Sequence, residues 1–205
     1  MASQIGYVYS ANRLAERPFS SILHTSFNET RSPRLWEQML KTKREVWGRC
    51  HWTGAGIDRL AQKFGESSTS QTPVEGDELE LPEAISPATH SLVYLSADAE
   101  EELDTLKENE IYIIGGIVDK NRHKVSIIYS SEVLTNDQFL CQNKADKYGI
   151  RTARLPIGTY LANMPTRKVL TVNQVCPPLF TKSKQLGLTI GILNSSRIHH
   201  SKLVV

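Results

Sequence analysis

Short apolar runs alternate with amphipathic stretches along much of this chain. The stretch 33–40 places its apolar residues on one side of a helix, and Pro33 suits the first turn of that helix. Residues 19–26 form an apolar, β-branched run that is typical of a strand, and Pro18 before it marks the end of a preceding helix. The first part of the chain is therefore predicted as helix, strand and helix.

Two later runs have the pattern of strands that are buried on both faces. Residues 91–95 and 111–114 are almost continuously apolar, as in parallel sheets, and a glycine pair closes the second run. Between them, three consecutive glutamates at 100–102 suit the positive end of a helix dipole. This pattern predicts a helix over 99–106.

The same alternation continues toward the C-terminus. Residues 148–156 indicate a helix end, a glycine stop and a strand, and 169–172 predicts another short strand. Strands and helices that alternate at this spacing predict an α/β domain with a largely parallel sheet. Since such sheets bind ligands beyond the carboxyl ends of their strands, the candidate site lies in the loops that follow these strands.

The charge balance changes strongly along the chain, although the net charge is only +2. Residues 1–65 carry a net charge of +5, residues 66–110 one of −12 and residues 111–205 one of +9. The two basic portions can form one polyanion-binding face if the fold joins them, and separate solvated faces are the alternative. We divide the chain into a basic N-terminal part of the main domain (1–65), an acidic flexible loop (66–90), a core (91–175) and a divergent tail (176–205).

Length and composition exclude several classes of protein. The 205 residues suffice for one buried domain, and no apolar run reaches the ~18 residues of a membrane span. The three cysteines, Cys50, Cys141 and Cys176, are widely separated and favour neither a disulfide framework nor a metal site. Without a recognisable secretory signal, the chain is expected to be intracellular, cytoplasmic or nuclear rather than mitochondrial, with no membrane or metal partner.

Several familiar chemical signatures are absent. The sequence contains no GxxxxGK[ST], GxGxxG, HExxH or GxSxG motif, which disfavours the usual phosphate cradles, zinc proteolysis and the common hydrolase elbow. Instead, Gly115 and Gly116 end a buried strand, where the missing Cβ atoms would let a flat ligand approach, and Asp119 follows. By itself this pattern is more often an ordinary turn followed by a helix N-cap than a functional site.

Four runs of the second half occur together in a known order. They are 93–98 (VYLSAD), 111–124 (IYIIGGIVDKNRHK), 149–158 (GIRTARLPIG) and 167–175 (RKVLTVNQV). Together they resemble the SPOUT-class tRNA methyltransferases that modify N1 of the purine at position 9. The resemblance implies an α/β SPOUT fold with a C-terminal trefoil knot, S-adenosylmethionine as methyl donor, tRNA as substrate and action as a monomer. Guanine is expected as the target rather than adenine.

The resemblance also implies which residues form the site. The expected cofactor contacts are Leu95, Gly115, Asp119, Lys120, Asn121, Arg122, His123, Cys141, Leu155, Lys168, Val169 and Leu170. Without the resemblance, the three leucines would be ordinary core residues and Cys141 a small buried hydrophobe. Asp119 is the expected catalytic residue, because a carboxylate within reach of guanine N1–H can take that proton as a general base.

Basic residues near the motif loops are expected to bind the phosphates of tRNA. These residues are Arg122, Lys124, Arg151, Arg154, Arg167 and Lys168. Further basic residues in the N-terminal part could extend the same track. Because ion release accompanies phosphate contacts, we expect binding that depends strongly on salt.

Two features depart from the pattern of the family. Residues 125–139 form an insertion of 15 residues, and after residue 175 a tail without helical periodicity stands where the family has its last amphipathic helix. These departures leave open a second hypothesis, a catalytically silent tRNA-binding or regulatory variant that arises by alternative splicing. An unrelated small α/β metabolite-binding protein remains a third hypothesis, which requires the motif matches to be accidental.

Overall fold

The computed structural model describes residues 2–65, 79–83, 85–118, 140–157, 189–194 and 203–204. Four helices are α1 (Ala2–Leu14), α2 (Pro33–Leu40), α3 (Ile57–Phe64) and α4 (Leu140–Lys147). Seven strands are β1 (Ser21–Thr25), β2 (Cys50–Trp52), β3 (Ser91–Leu95), β4 (Glu110–Val118), β5 (Arg151–Ala153), β6 (Thr189–Asn194) and β7 (Leu203–Val204). Within these ranges, every helix is too short or too polar to cross a membrane.

The strands form one mostly parallel sheet. Its order is β2-β1-β6-β4-β3-β5, with all of these neighbours parallel, and β7 pairs antiparallel with the end of β4. The predicted α/β architecture with a largely parallel sheet is confirmed. Because β1 and β2 lie in the same sheet as β3 to β6, the basic N-terminal part belongs to the same folded unit as the core.

Two hydrophobic clusters hold the helices in place. On one side, the apolar faces of α3 and α4 pack on the sheet, with Leu60, Ile113 and Ala145 all fully buried. Around α1 and α2, a second cluster forms in which Leu35 and Met39 are buried, as the amphipathic pattern of 33–40 predicts. Gly149, with φ +63°, ends α4 and lets the Ile150 N–H donate back to the Ala145 carbonyl at 2.9 Å. This turn leads directly into β5.

The predicted helix over 99–106 is wrong. The segment instead runs beside β5, where the Leu103 N–H donates to the Arg154 carbonyl at 2.9 Å and the Arg154 N–H donates to the Glu101 carbonyl at 2.8 Å. The acidic side chains that suited a helix dipole pair with arginines of β5 and its end. Tertiary pairing therefore overrides the local helical signal.

Two further segments differ from the domain division that the sequence suggests. The end of the predicted acidic loop is packed, since Ile85 is buried and Leu79 and Leu81 lie half-buried against the α3–α4 cluster. Within the predicted tail, Thr189–Asn194 is a central strand between β1 and β4. The predicted strand at 169–172 and the insertion 125–139 lie outside the described residues.

Candidate functional site

The carboxyl edge of the sheet is the place where the predicted site residues meet. Strand register sets Ala153, Leu95, Ile114 and Ile192 side by side across β5, β3, β4 and β6. One residue further along β4 comes Gly115, beside the end of β3. Since ligands of parallel sheets bind at this edge, the structure brings Leu95 and Gly115 together where a site is expected.

Gly115 has no room for a side chain. A Cβ atom placed on it would lie 3.0 Å from Cys141 Sγ and 3.1 Å from the Tyr94 hydroxyl oxygen. Tyr94 and Cys141 are themselves buried. The missing Cβ therefore makes space for these two side chains, and the predicted contact of Gly115 with the cofactor stays a prediction.

A hydrogen bond links the two side chains that lie against Gly115. The Tyr94 hydroxyl bonds the Cys141 thiol, and burial raises the pKa of both groups above their ordinary values. The neutral forms are thereby favoured, with tyrosine as donor and sulfur as acceptor. A buried, neutral thiol is a poor nucleophile, so Cys141 has a structural place beside the site and not a covalent one.

Leu95 and Leu155 lie at the carboxyl ends of the neighbouring strands β3 and β5. Leu95 is fully buried, while Leu155, two residues after β5, is half-buried. The Ser96 N–H donates to the Ala153 carbonyl at 3.0 Å, and Ser96 Oγ accepts from the Asp98 N–H at 3.3 Å. The chain after β3 is thus fixed to β5, which sets both leucines at the same edge.

Two arginines predicted to bind RNA have carboxylate partners within the protein. Arg151 forms ion pairs with Glu101 and, at 2.6 Å, with Glu110. Arg154 Nε lies 3.3 Å from Glu102, and its guanidinium also donates to the Ala99 carbonyl at 3.2 Å. Their contact with phosphate stays a prediction, and it would require the half-exposed Glu101 and Glu102 and the buried Glu110 to share the arginines or to release them.

The remaining predicted site residues lie outside the described part of the chain. They are Asp119, Lys120, Asn121, Arg122, His123, Lys124, Arg167, Lys168, Val169 and Leu170. Their assignments as cofactor, catalytic or RNA contacts stay predictions. Among the described residues, no group of three or more His, Cys, Asp or Glu side chains could hold a metal ion.

Sequence reasoning missed Tyr94, which contacts two of the predicted site residues. The available signal was a phenol within an otherwise apolar strand, directly before Leu95. Buried tyrosine hydroxyls usually find a partner, so this hydroxyl implied a polar contact at the strand end. The identity of that partner depends on where α4 packs, which no local pattern shows.

Solved structures and curated sequences were compared with the chain. The crystal structure of full-length spTrm10 in complex with SAH superposes with a TM-score of 0.58 at 32% sequence identity, covering 88% of this chain and 74% of that one. A parallel sheet with its site residues at the carboxyl edge, together with this similarity, defines an α/β protein of the SPOUT class.

Residues 1–185 match the family described as tRNA (guanine(9)-N(1))-methyltransferase TRM10/TRM10A, and the chain belongs to this family. Two relatives are both named tRNA (guanine(9)-N1)-methyltransferase. One, from Cryptococcus neoformans, is 46% identical over 195 residues, and one from Schizosaccharomyces pombe is 35% identical over 175. Each alignment covers 85% of this chain but only 46% and 44% of the relative, so the chain spans less than half the length of these proteins. The family predicted from the four motif runs is confirmed.

Proposed function

We propose that this protein transfers a methyl group from S-adenosylmethionine to N1 of guanine at position 9 of tRNA. The observation that carries the proposal is the family match over residues 1–185. Relatives that are up to 46% identical bear this activity in their names, and a similar solved structure is an SAH complex. The activity is proposed for this chain because it spans only part of each relative.

The described residues at the carboxyl edge suit the proposed cofactor. The apolar side chains of Leu95 and half-buried Leu155 match a purine ring, and backbone groups at the strand ends can bond its polar edge. When bound, S-adenosylmethionine supplies an electrophilic methyl group on a sulfonium. The protein's part is to orient this donor and the target base and to exclude water between them.

Asp119 is the proposed general base. It follows β4 by one residue in the chain, beyond the strand that carries Gly115. Guanine N1 bears a proton at neutral pH, and the carboxylate would accept that proton while N1 bonds the methyl carbon. The bond from methyl carbon to sulfur would break at the same time, its electron pair staying on the departing thioether. The target base must leave its stack so that guanine N1 can reach both the carboxylate and the methyl group. Binding of tRNA therefore includes extrusion of that base.

Replacement of Asp119 by asparagine tests this role. Asparagine keeps the size of the side chain but cannot accept the proton, so we expect Asp119→Asn to lower single-turnover methyl transfer by about 100-fold. Calorimetric titration with SAH should give a Kd within about twofold of the wild type. Equal transfer rates in the two proteins would remove Asp119 from the mechanism.

Cofactor binding tests the proposal before any assay of methyl transfer. We expect saturable, one-to-one binding of S-adenosylmethionine to the purified protein in calorimetry. A folded sample that binds tRNA but no cofactor would instead identify the catalytically silent variant. A folded sample that binds neither would contradict both hypotheses.

We further propose that the protein acts on tRNA as a monomer, in the cytoplasm or nucleus. The monomer is supported only by the family resemblance. Light scattering of the complex with tRNA measures it, and two protein chains per tRNA would contradict it.

A further inference from the structure

Tyr94 joins three elements at the carboxyl edge of the sheet. Its ring belongs to β3, its hydroxyl bonds the thiol of Cys141 in the first turn of α4, and the same hydroxyl lies against the backbone of Gly115 in β4. Tyr94 is 1% exposed, so water does not compete for the hydroxyl. Besides the hydrophobic packing of α4 on the sheet, this one side chain links the start of α4 to β4.

Two of the three residues that form this contact are expected cofactor residues. Gly115 and Cys141 both touch Tyr94, and a third expected residue, Leu95, is its neighbour in the chain. Leu95 and Gly115 have no polar side-chain atom, and burial keeps the Cys141 thiol neutral. Their relative placement depends on packing and on the one hydroxyl between them.

We propose that Tyr94 is a positioning residue of the cofactor site, whose hydroxyl holds the start of α4 against Gly115 in the arrangement that the cofactor requires. This inference rests on the proposed function. It goes beyond it by naming a residue that makes no contact of its own with the reacting groups. The alternative is that Tyr94 fills the core and its hydroxyl adds stability alone.

Tyr112 provides a matched control for this alternative. It is equally buried, and its hydroxyl donates to Glu110 at 2.6 Å. Glu110 pairs with Ser91 at the amino end of the sheet, so this hydrogen bond lies at the opposite edge from Gly115. Tyr112→Phe removes a buried hydroxyl that donates to Glu110 and accepts from the Lys107 N–H at 2.7 Å, at the edge away from the site, whereas Tyr94→Phe removes one beside it.

The test is a titration with SAH of the wild type, Tyr94→Phe and Tyr112→Phe. Phenylalanine keeps the ring and its volume, so both variants are expected to fold. We expect Tyr94→Phe to raise the Kd for SAH about fivefold or more, and Tyr112→Phe to leave it within about twofold while lowering Tm. If the hydroxyl acts through the thiol, Tyr94→Phe in a Cys141→Ala background should change the Kd by less than about twofold.

Amide hydrogen exchange without cofactor gives an independent readout. Faster exchange at Ala145 and Asp146 of α4 is expected in Tyr94→Phe and not in Tyr112→Phe. Equal Kd values for SAH in the wild type and Tyr94→Phe, or an equal loss in both phenylalanine variants, would overturn this inference alone. A folded wild type that binds no SAH would overturn the proposed function and this inference with it.

Discussion

Gly115 is the residue at which the packing of the carboxyl edge is tightest. A methyl group there would meet Cys141 Sγ at 3.0 Å and the Tyr94 hydroxyl at 3.1 Å, so one of them must move. We expect Gly115→Ala to lower the free energy of unfolding by about 1–3 kcal/mol and to weaken SAH binding. Urea denaturation and calorimetry measure the two effects.

Gly6 is a matched control for this substitution. It lies inside α1, and a Cβ atom there would have nothing within 4 Å. Gly6→Ala should therefore stabilise the protein by roughly 0.5–1 kcal/mol, as alanine does in helices, and leave SAH binding unchanged. Equal effects of the two alanines would show that the crowding around Gly115 is unimportant.

His24 lies buried at the carboxyl end of β1, with its ring stacked on Trp52 at a centroid distance of 4.1 Å. Burial, and to a lesser extent the nearby His51, lowers the pKa of His24 to about 3. In the unfolded chain, where the pKa of His24 is near 6.5, the imidazole binds a proton below that pH, whereas in the folded protein it stays neutral down to about pH 3. Stability from this residue is therefore complete above pH 6.5 and is lost as the pH falls toward 3.

Replacement of His24 by phenylalanine should flatten this dependence. In the wild type, each pH unit below 6.5 costs up to about 1.4 kcal/mol of unfolding free energy through His24. His24→Phe keeps the stacking but has no proton to bind, so its unfolding free energy should change less between pH 6.5 and 4. Urea denaturation at several pH values across this window measures the dependence of the unfolding free energy on pH. His51 is more exposed than His24, so His51→Gln is the control and should reduce this dependence less. Parallel curves for the wild type and His24→Phe would contradict the assignment.

Among the elements, the start of β5 is held by a buried charge. Glu110 is 6% exposed at its side chain and accepts from Arg151 and from the Tyr112 hydroxyl, both at 2.6 Å. Arg151→Gln would leave this carboxylate with Lys107 Nζ, 3.4 Å away, as its remaining cation, and we expect a loss of about 1–2 kcal/mol in urea denaturation. Lys41→Gln breaks a pair in which both side chains are about three-quarters exposed, and should cost at most about 0.5 kcal/mol. A similar small loss for Arg151→Gln would mean that the pair is not structural.

Local sequence patterns correctly predict those elements whose own residues determine which face is buried. The helix at 33–40 and the strand at 91–95 have the predicted bounds because an apolar stripe and an apolar run each define one burial geometry. The helix at 99–106 was predicted wrongly because its glutamates pair with Arg151 and Arg154, which are distant in sequence. Strand β6 was missed because Thr189–Asn194 becomes a strand through pairing with β1 and β4.

Within the candidate site, too, some features could be predicted from local sequence and others could not. The rule for parallel sheets places Leu95 and Gly115 at one edge from sequence alone. The contact of Cys141 with Gly115, through the hydroxyl of Tyr94, depends on how α4 packs and could not be predicted from any one segment.

For the whole molecule, the segregation of charge determines how strongly the proposed tRNA binding should depend on salt. The net charges of +5 and +9 at the two ends of the chain flank an acidic stretch of −12, part of which pairs with Arg151 and Arg154. With roughly four phosphates contacted by the remaining basic groups, tRNA affinity should fall about 100-fold between 50 and 200 mM salt. Fluorescence anisotropy at several salt concentrations measures the slope, and an unchanged Kd would contradict an electrostatic tRNA track.

Methyl transfer to tRNA is tested most directly by incubating the wild-type protein with S-adenosylmethionine and each of two tRNA transcripts. The transcripts differ only at position 9, which is guanine in one and uracil in the other. We predict one N1-methylguanosine per molecule, mapped to position 9, in the first transcript and none in the second. A folded, cofactor-binding protein that modifies neither transcript, or that methylates both at another position, would contradict the account.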